Sequence, residues 1–208
     1  VHRILMGAWM QPVTLTGNLV SLQPIAPGHE RGLIEATQDG SLWQLWFTSV
    51  PSPEQVGAYI ATALDLQHMD SALAFSIIEI STGRILGSTR FCNIDVKNRR
   101  VEIGYTWYRQ SAQRTGVNTE CKLLLLQHAF EQLQCIAVEF RTNWHNHKSR
   151  AAIARLGAKQ DGVLRQHMLM PDGQYRDTVV FSILNSEWPA VKAQLRWNQR
   201  RHNCGTAS

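Results

Sequence analysis

The stretch Gln113-Arg114-Thr115-Gly116-Val117-Asn118 decides the reading of this chain, because it joins a strand-like run to a helix start. Upstream, Val101-Glu102-Ile103-Gly104-Tyr105-Thr106-Trp107-Tyr108 has the β-branched and aromatic composition of a strand. Downstream, Cys121, Leu124, Leu125, His128 and Ala129 recur at helical spacing, which predicts a helix from Asn118 to about Leu133. Leu123 and Leu126 fall off that stripe, so the helix is apolar nearly all round and is expected to be buried on more than one side. A strand, a short glycine loop and a helix N-terminus together suit an anion. The first-turn N–H groups lack partners, and the helix dipole adds positive potential there. Gly116 lets the backbone approach an anion with no Cβ in the way, and Asn118 is a residue type favoured as a helix N-cap.

This order resembles the Gln/Arg-x-x-Gly-x-Gly/Ala signature of the GNAT N-acetyltransferases, with Gln113, Gly116 and Asn118 at its three positions. Asn118 departs from the small residue usual there. Further along, Asn146-His147-Lys148-Ser149 and the run Ala151 to Ala158 resemble the Asn-x-x-Ser…Gly-Phe/Ala pattern of the RimJ/RimL-type branch. Gly162-Val163-Leu164-Arg165 resembles that branch's Gly-x-Leu-Arg strand. The ordered set spans roughly residues 14 to 184.

The resemblance implies an α/β (α+β) GNAT acetyltransferase fold, a mixed, mostly antiparallel sheet with a splayed central strand pair and helices on both faces. It implies acetyl-CoA as cofactor, released as CoA, and an amine acceptor, either a peptide N-terminus or a small amine. Arg114, Thr115, Gly116, Val117 and Asn118 would offer backbone donors to the pyrophosphate, following Gln113. The pantetheine arm would lie against the backbone of Tyr105, Trp107 and Tyr108, whose side chains can equally be core or wall. Asn146 and Ser149 fall on cofactor-side positions, with the Ser149 hydroxyl orienting the thioester sulfur or protonating the leaving thiolate. Trp43, Trp46 and Phe47 fall where the family builds its acceptor wall. Glu102 matches a strand carboxylate that deprotonates the amine, against the alternative of an ordinary solvent-facing residue. Glu120 is expected to favour the helix N-terminus electrostatically. The carboxylate that serves as base in RimL-type enzymes falls at about Met168, which takes no proton. The family's later tyrosine acid is missing, leaving Tyr175 and Tyr108 as substitutes.

The implied chemistry is direct attack of a neutral amine on the acetyl thioester, with the oxyanion held by a backbone N–H of the splayed strand. No cysteine has a partner arrangement that argues for an acyl-enzyme. A terminal α-amine with a pKa near 8 costs about 1.4 kcal/mol to neutralise at pH 7, whereas a lysine near 10.4 costs roughly 4.6 kcal/mol. With Glu102 the one good base, the α-amine of a protein or peptide N-terminus is mildly favoured, in agreement with the protein N-terminal acetylation that the RimJ/RimL resemblance implies. A non-catalytic acyl-CoA binder and an acetyltransferase of small amines are the competing readings.

Bulk properties are consistent with a single domain of 208 residues, with a core over about 14–184, a terminal helix over about 187–200 and a polar tail over 202–208. Hydrophobic residues make up 44% and charged residues 18%, ordinary for a globular chain. The net charge of +5 suits a cofactor bearing several phosphates, and no nucleic-acid motif accompanies it. No apolar run reaches the ~20 residues of a membrane helix, and Val1–Met10 lacks a signal-peptide pattern. Four cysteines without framework spacing predict reduced thiols and a cytoplasmic location. His145 and His147 at i, i+2 do not match zinc-site spacing, so no metal is expected. A homodimer fits the same reading.

Along the chain, strands are predicted over 19–24, 72–80, 85–93, 101–108, 136–142, 163–170 and 175–184. Helices are predicted over 29–39, from Ser52-Pro53 to about His68, over 118–133, and over 146–156 with Gly157 as C-cap.

Overall fold

The computed structural model describes residues 9, 11–170 and 172–205, the last five by their backbone alone. Its strands are β1 (Leu15–Thr16), β2 (Val20–Pro24), β3 (Ala72–Glu79), β4 (Ile85–Asp95), β5 (Arg100–Tyr108), β6 (Ala137–Asn143), β7 (Lys159–Leu169) and β8 (Tyr175–Leu184). They form one sheet in the order β1-β2-β3-β4-β5-β6-β8-β7. Neighbours are antiparallel except β5 and β6, which run parallel and pair only from Arg100↔Ala137 to Glu102↔Glu139. Beyond Glu102 the two strands part, and a wedge opens in the middle of the sheet.

The helices are α1 (Glu30–Gln38), α2 (Val56–His68), α3 (Val117–Gln127), α4 (His147–Arg155) and α5 (Trp188–Gly205). Strand alternation sorts the core onto two faces. Leu73, Phe75, Phe91 and Ile103 meet Cys121, Leu125 and Leu126 of α3, with Trp188, Val191 and Leu195 of α5 in the same layer. Ala74 and Trp107 face the other way, against Leu33 and Ala36 of α1 and Val56, Ile60 and Ala63 of α2. The all-round apolar α3 is buried as its composition predicts, and it passes into a π-helical turn at His128–Gln132.

A bulge lets β5 serve both layers. Ser88 pairs with Trp107 and Arg90 with Gly104, so two steps on β4 match three on β5. Tyr105 takes up the extra residue at φ +50. Val101 and Ile103 therefore face α3, while Trp107 faces α1 and α2.

Three boundaries differ from expectation. β1 is two residues long and gives no periodic signal. β7 starts at Lys159, ahead of Val163; no residue of β7 is buried, so polar Lys159-Gln160-Asp161 sit in it without penalty. α5 continues to Gly205, past the predicted end near residue 200 and into the stretch read as a polar tail. Pro171 of the predicted hairpin turn and residues 206–208 lie outside the described residues. Gly157 follows α4 at φ +97, the left-handed conformation that ends a helix. No helix among the described residues is long and apolar enough to cross a membrane.

Candidate active site

The loop after β5 is anchored before it turns. Arg109 Nε meets Asp39 Oδ2 at 2.8 Å, and Ser111 Oγ donates to the same oxygen at 2.7 Å. The hydrogen bonds from Ser111 and Arg109 hold the Asp39 carboxyl below its usual range. Gln113 Nε2 donates back to Tyr108 O at 3.2 Å, so its side chain braces the loop. Thr115 Oγ1 donates to Ala112 O at 2.7 Å and accepts Val117 N at 3.3 Å. Arg114 makes the turn itself at φ +62. Gly116 is the N-cap of α3 at φ −66 and ψ −12, so its smallness matters for space and not for backbone freedom. The first bond of α3 runs from Glu120 N to Gly116 O at 3.0 Å, which leaves the N–H groups of Asn118 and Thr119 to face an anion. Asn118 lies inside α3 and is not its cap, contrary to the expectation from residue type. Its Oδ1 accepts the Tyr108 hydroxyl at 3.0 Å. A groove of about 480 Å³ runs beside the loop, with Asn18, Arg84, Arg114, Thr115 and Gly116 on its walls.

The wedge begins where this loop's strand leaves β6. Tyr105 at the bulge is half-exposed, whereas Trp107 and Tyr108 are buried. Trp107 packs under α1 and α2, and Tyr108 packs on the α3 face, so their side chains are core. Burial raises the Tyr108 hydroxyl well above its ordinary pKa, and with its bond to Asn118 this removes it as a ready acid. Tyr175 is 62% exposed at the β7–β8 hairpin end.

Glu102 is 7% exposed, which sets aside an ordinary solvent-facing role. Asn93 Nδ2 donates to its Oε2 at 2.6 Å, and Arg141 Nε stands 3.4 Å from the same oxygen. Burial raises the carboxyl's pKa, while Asn93 and Arg141 pull the other way. Next to it Glu139 is held by Arg100 Nη2 at 2.7 Å and Arg141 Nη2 at 3.0 Å. Burial pushes Glu139 upward, but the two arginines outweigh it and its pKa falls. Of two carboxylates at the mouth of the wedge, Glu102 is thus the more basic.

Across the wedge, Asn146 caps α4 by accepting Ser149 N at 3.0 Å. The Ser149 hydroxyl makes no hydrogen bond among the described residues and is half-buried. Trp43 and Trp46 are exposed; Trp46 packs edge-on against Phe47 at 5.5 Å and lies tilted against His145 at 5.4 Å. This aromatic loop therefore reaches the end of β6. Met168 is 42% exposed on β7, opposite Arg176.

Glu120 serves the fold. Its carboxylate accepts the N–H groups of Asn18 (2.9 Å), Leu19 (2.6 Å) and Val20 (2.8 Å), tying α3 to β2. Sequence reasoning missed the partners of Glu102, since cross-strand register alone brings Asn93 and Arg141 to it. It also missed Lys122, a single cation inside the apolar run of α3. Its Nζ is 2.6 Å from Thr106 Oγ1 and 5.9 Å from the Phe140 ring, beneath the wedge, and burial pushes its pKa down to about 8.

A loop of helix-start N–H groups with Arg114 beside it, leading to a wedge between unpaired strand edges, fits a cofactor with phosphates at one end of a slender arm. A family model described as "Acetyltransferase (GNAT) domain" matches residues 20–159. YdaF of Bacillus subtilis (strain 168), provisionally named a ribosomal N-acetyltransferase, is 28% identical over 155 residues, covering 71% of this chain and 80% of YdaF. A GCN5-related N-acetyltransferase from Brucella melitensis superposes with a TM-score of 0.79 at 28% identity, over 89% of this chain and 85% of that one. RimJ of Mycobacterium smegmatis, solved with CoA-disulfide, shares the fold at a TM-score of 0.76 and 21% identity, over 92% and 97% of the two chains. The family match runs from β2 to the first residue of β7 and takes in the loop, the wedge and Glu102: this chain is an acetyltransferase of the GNAT family.

Proposed function

We propose that the protein transfers the acetyl group of acetyl-CoA to a primary α-amine, with Glu102 taking the amine's proton. Acetyl-CoA supplies the thioester that the neutral amine attacks. The loop from Gln113 to Asn118 holds its phosphates through backbone N–H groups and the Arg114 charge. The backbone of Tyr105 to Tyr108 lines the arm from one side, and Asn146 orders the α4 start on the other. Ser149 donates its hydroxyl proton towards the departing sulfur. Trp43, Trp46 and Phe47 wall the acceptor side.

The observation that carries this reading is Glu102, a buried carboxylate with a raised pKa at the point where β5 and β6 part. A base tuned upward by burial works better near neutral pH than an exposed carboxylate. It still falls short of what a lysine demands, since neutralising a side-chain amine costs roughly 3 kcal/mol more than an α-amine at pH 7. The α-amine therefore wins. The name of YdaF, provisionally a ribosomal N-acetyltransferase, supports an amine on a protein as the acceptor.

Thiol release from acetyl-CoA, measured over a panel of α-amines, peptide N-termini and ε-amines at pH 7, tests the reading. Faster turnover of ε-amines than of α-amines would overturn it.

A further inference from the structure

Arg90 is a charge that the acetyl-transfer machinery does not use. It stands on β4 opposite Gly104, on the same face as Cys92 and Glu102. It is 2% exposed, and its Nε has no hydrogen-bond partner. Its guanidinium enters no ion pair among the described residues. Two rings hold it: the guanidinium carbon lies 5.0 Å from the centre of Tyr59 on α2 and 4.3 Å from that of Tyr105. Ring faces engage the faces of the guanidinium and leave its N–H edge unused.

Neighbouring charges do not balance it. Glu102 and Glu139 are engaged by Arg141 and Arg100. Arg176 on β8 is half-buried, donates Nε to Thr178 Oγ1 at 3.2 Å, and has no carboxylate at ion-pair distance among the described residues. Its field reaches Tyr105 and Glu102. Arg90 and Arg176 on this face therefore both lack a carboxylate at ion-pair distance among the described residues. Burying a cation without an acceptor is costly, and two ring contacts offset only part of that.

We propose that the acceptor is a small amine with a carboxylate near its amino group, the amine set against Glu102 and the carboxylate against Arg90, with Arg176 alongside. The proposal rests on Glu102 as the base. Gly104, the partner of Arg90, is two residues from Glu102 on β5, a span of about 6.6 Å. An α-amino acid carries both groups in the most compact form. The planar fork of arginine suits a carboxylate through two parallel N–H donors. A peptide N-terminus lacks this group, because its first carboxyl is an amide.

The test pairs free amino acids with their own amides, scoring kcat/KM for acetylation and calorimetric binding to the CoA-loaded protein. The amide carries the more easily neutralised amine, so chemistry alone favours it. The expected result is at least a tenfold preference for the acid in both readouts. Arg90→Met should reduce that preference to within about twofold at unchanged acetyl-CoA affinity, and its unliganded melting temperature should hold or rise. A packing role for Arg90 gives the reverse, a lower melting temperature with the preference intact. Arg176→Gln, at a half-exposed position, reads the same preference if Arg90→Met does not fold. Amides turned over as fast as acids overturn the proposal and leave the α-amine reading standing. Acids that bind through Arg90 without being acetylated are not acceptors and overturn the proposal as well. An amino-acid series that neither binds nor reacts overturns it.

Discussion

Asn93 donates to Glu102 at 2.6 Å from a backbone at φ +47, so an irregularity in one strand aims the carboxylate of the next. The register slips between Cys92 and Asp95 at that point, which turns the Asn93 side chain towards the mouth of the wedge. The bond favours the charged form of Glu102 against the burial that opposes it.

Removing that bond should move the pH profile. Asn93→Gly keeps the left-handed backbone and loses the donor, so the Glu102 pKa rises further and the acidic limb of kcat/KM shifts to higher pH. Glu102→Gln should lower turnover by about 10²–10⁴-fold near neutrality, with much of the loss recovered as pH rises and the amine arrives neutral. Acetyl-CoA affinity should hold in both variants. A Gln variant with wild-type rates across the profile would remove Glu102 from the mechanism.

Gly116→Val tests the phosphate loop. The right-handed φ of Gly116 accepts a side chain without backbone strain, so the added bulk acts on the space beside the loop. CoA affinity should fall at least tenfold, about 1.4 kcal/mol, with a much smaller change in the unliganded melting temperature. Equal affinity by calorimetry would place the phosphates elsewhere.

Glu120→Ala should damage stability before anything else. It leaves three backbone N–H groups of residues 18–20 without their acceptor, a loss on the order of 3 kcal/mol. Urea denaturation should show a lower midpoint at unchanged slope. An unshifted midpoint would show that water replaces the carboxylate at no cost.

Lys122 predicts a stability that climbs with alkalinity. Its folded pKa of about 8 lies below the ordinary lysine value, so between the two the unfolded chain binds the extra proton and stability rises with pH. Below the folded pKa the burial penalty is present in full. Lys122→Met should therefore exceed wild type in stability at pH 7, by an amount that shrinks as pH rises through about 8 towards 10.4. A constant difference across that window would mean that Lys122 stays charged.

The loop, α3 and the order of helices and strands were legible because each rests on local chemistry. Gly116 before an apolar run and the β-branched residues before Gln113 signal strand, turn and helix within twenty residues. The partners of Glu102 were not legible, because Asn93, Glu139 and Arg141 reach it through register between strands distant in sequence. Lys122 was visible as a lone cation among leucines, but only the position of Thr106 shows where it points. The polar start of β7 hid a strand, since a strand with no buried face carries no alternation. Asn118 suggested a cap because residue type was read without the Tyr108 hydroxyl that occupies its side chain.

The extra residue at Tyr105 also constrains chain length. Deleting any one residue between Gly104 and Trp107 would restore even alternation in β5. Trp107 would then turn out of the layer it fills beneath α1 and α2, and Tyr108 would leave Asn118. Most substitutions in this segment change one contact, whereas a one-codon loss exchanges the two sides of the strand's second half. Among descendants of such a chain, this segment should tolerate changes of letter far more readily than changes of count.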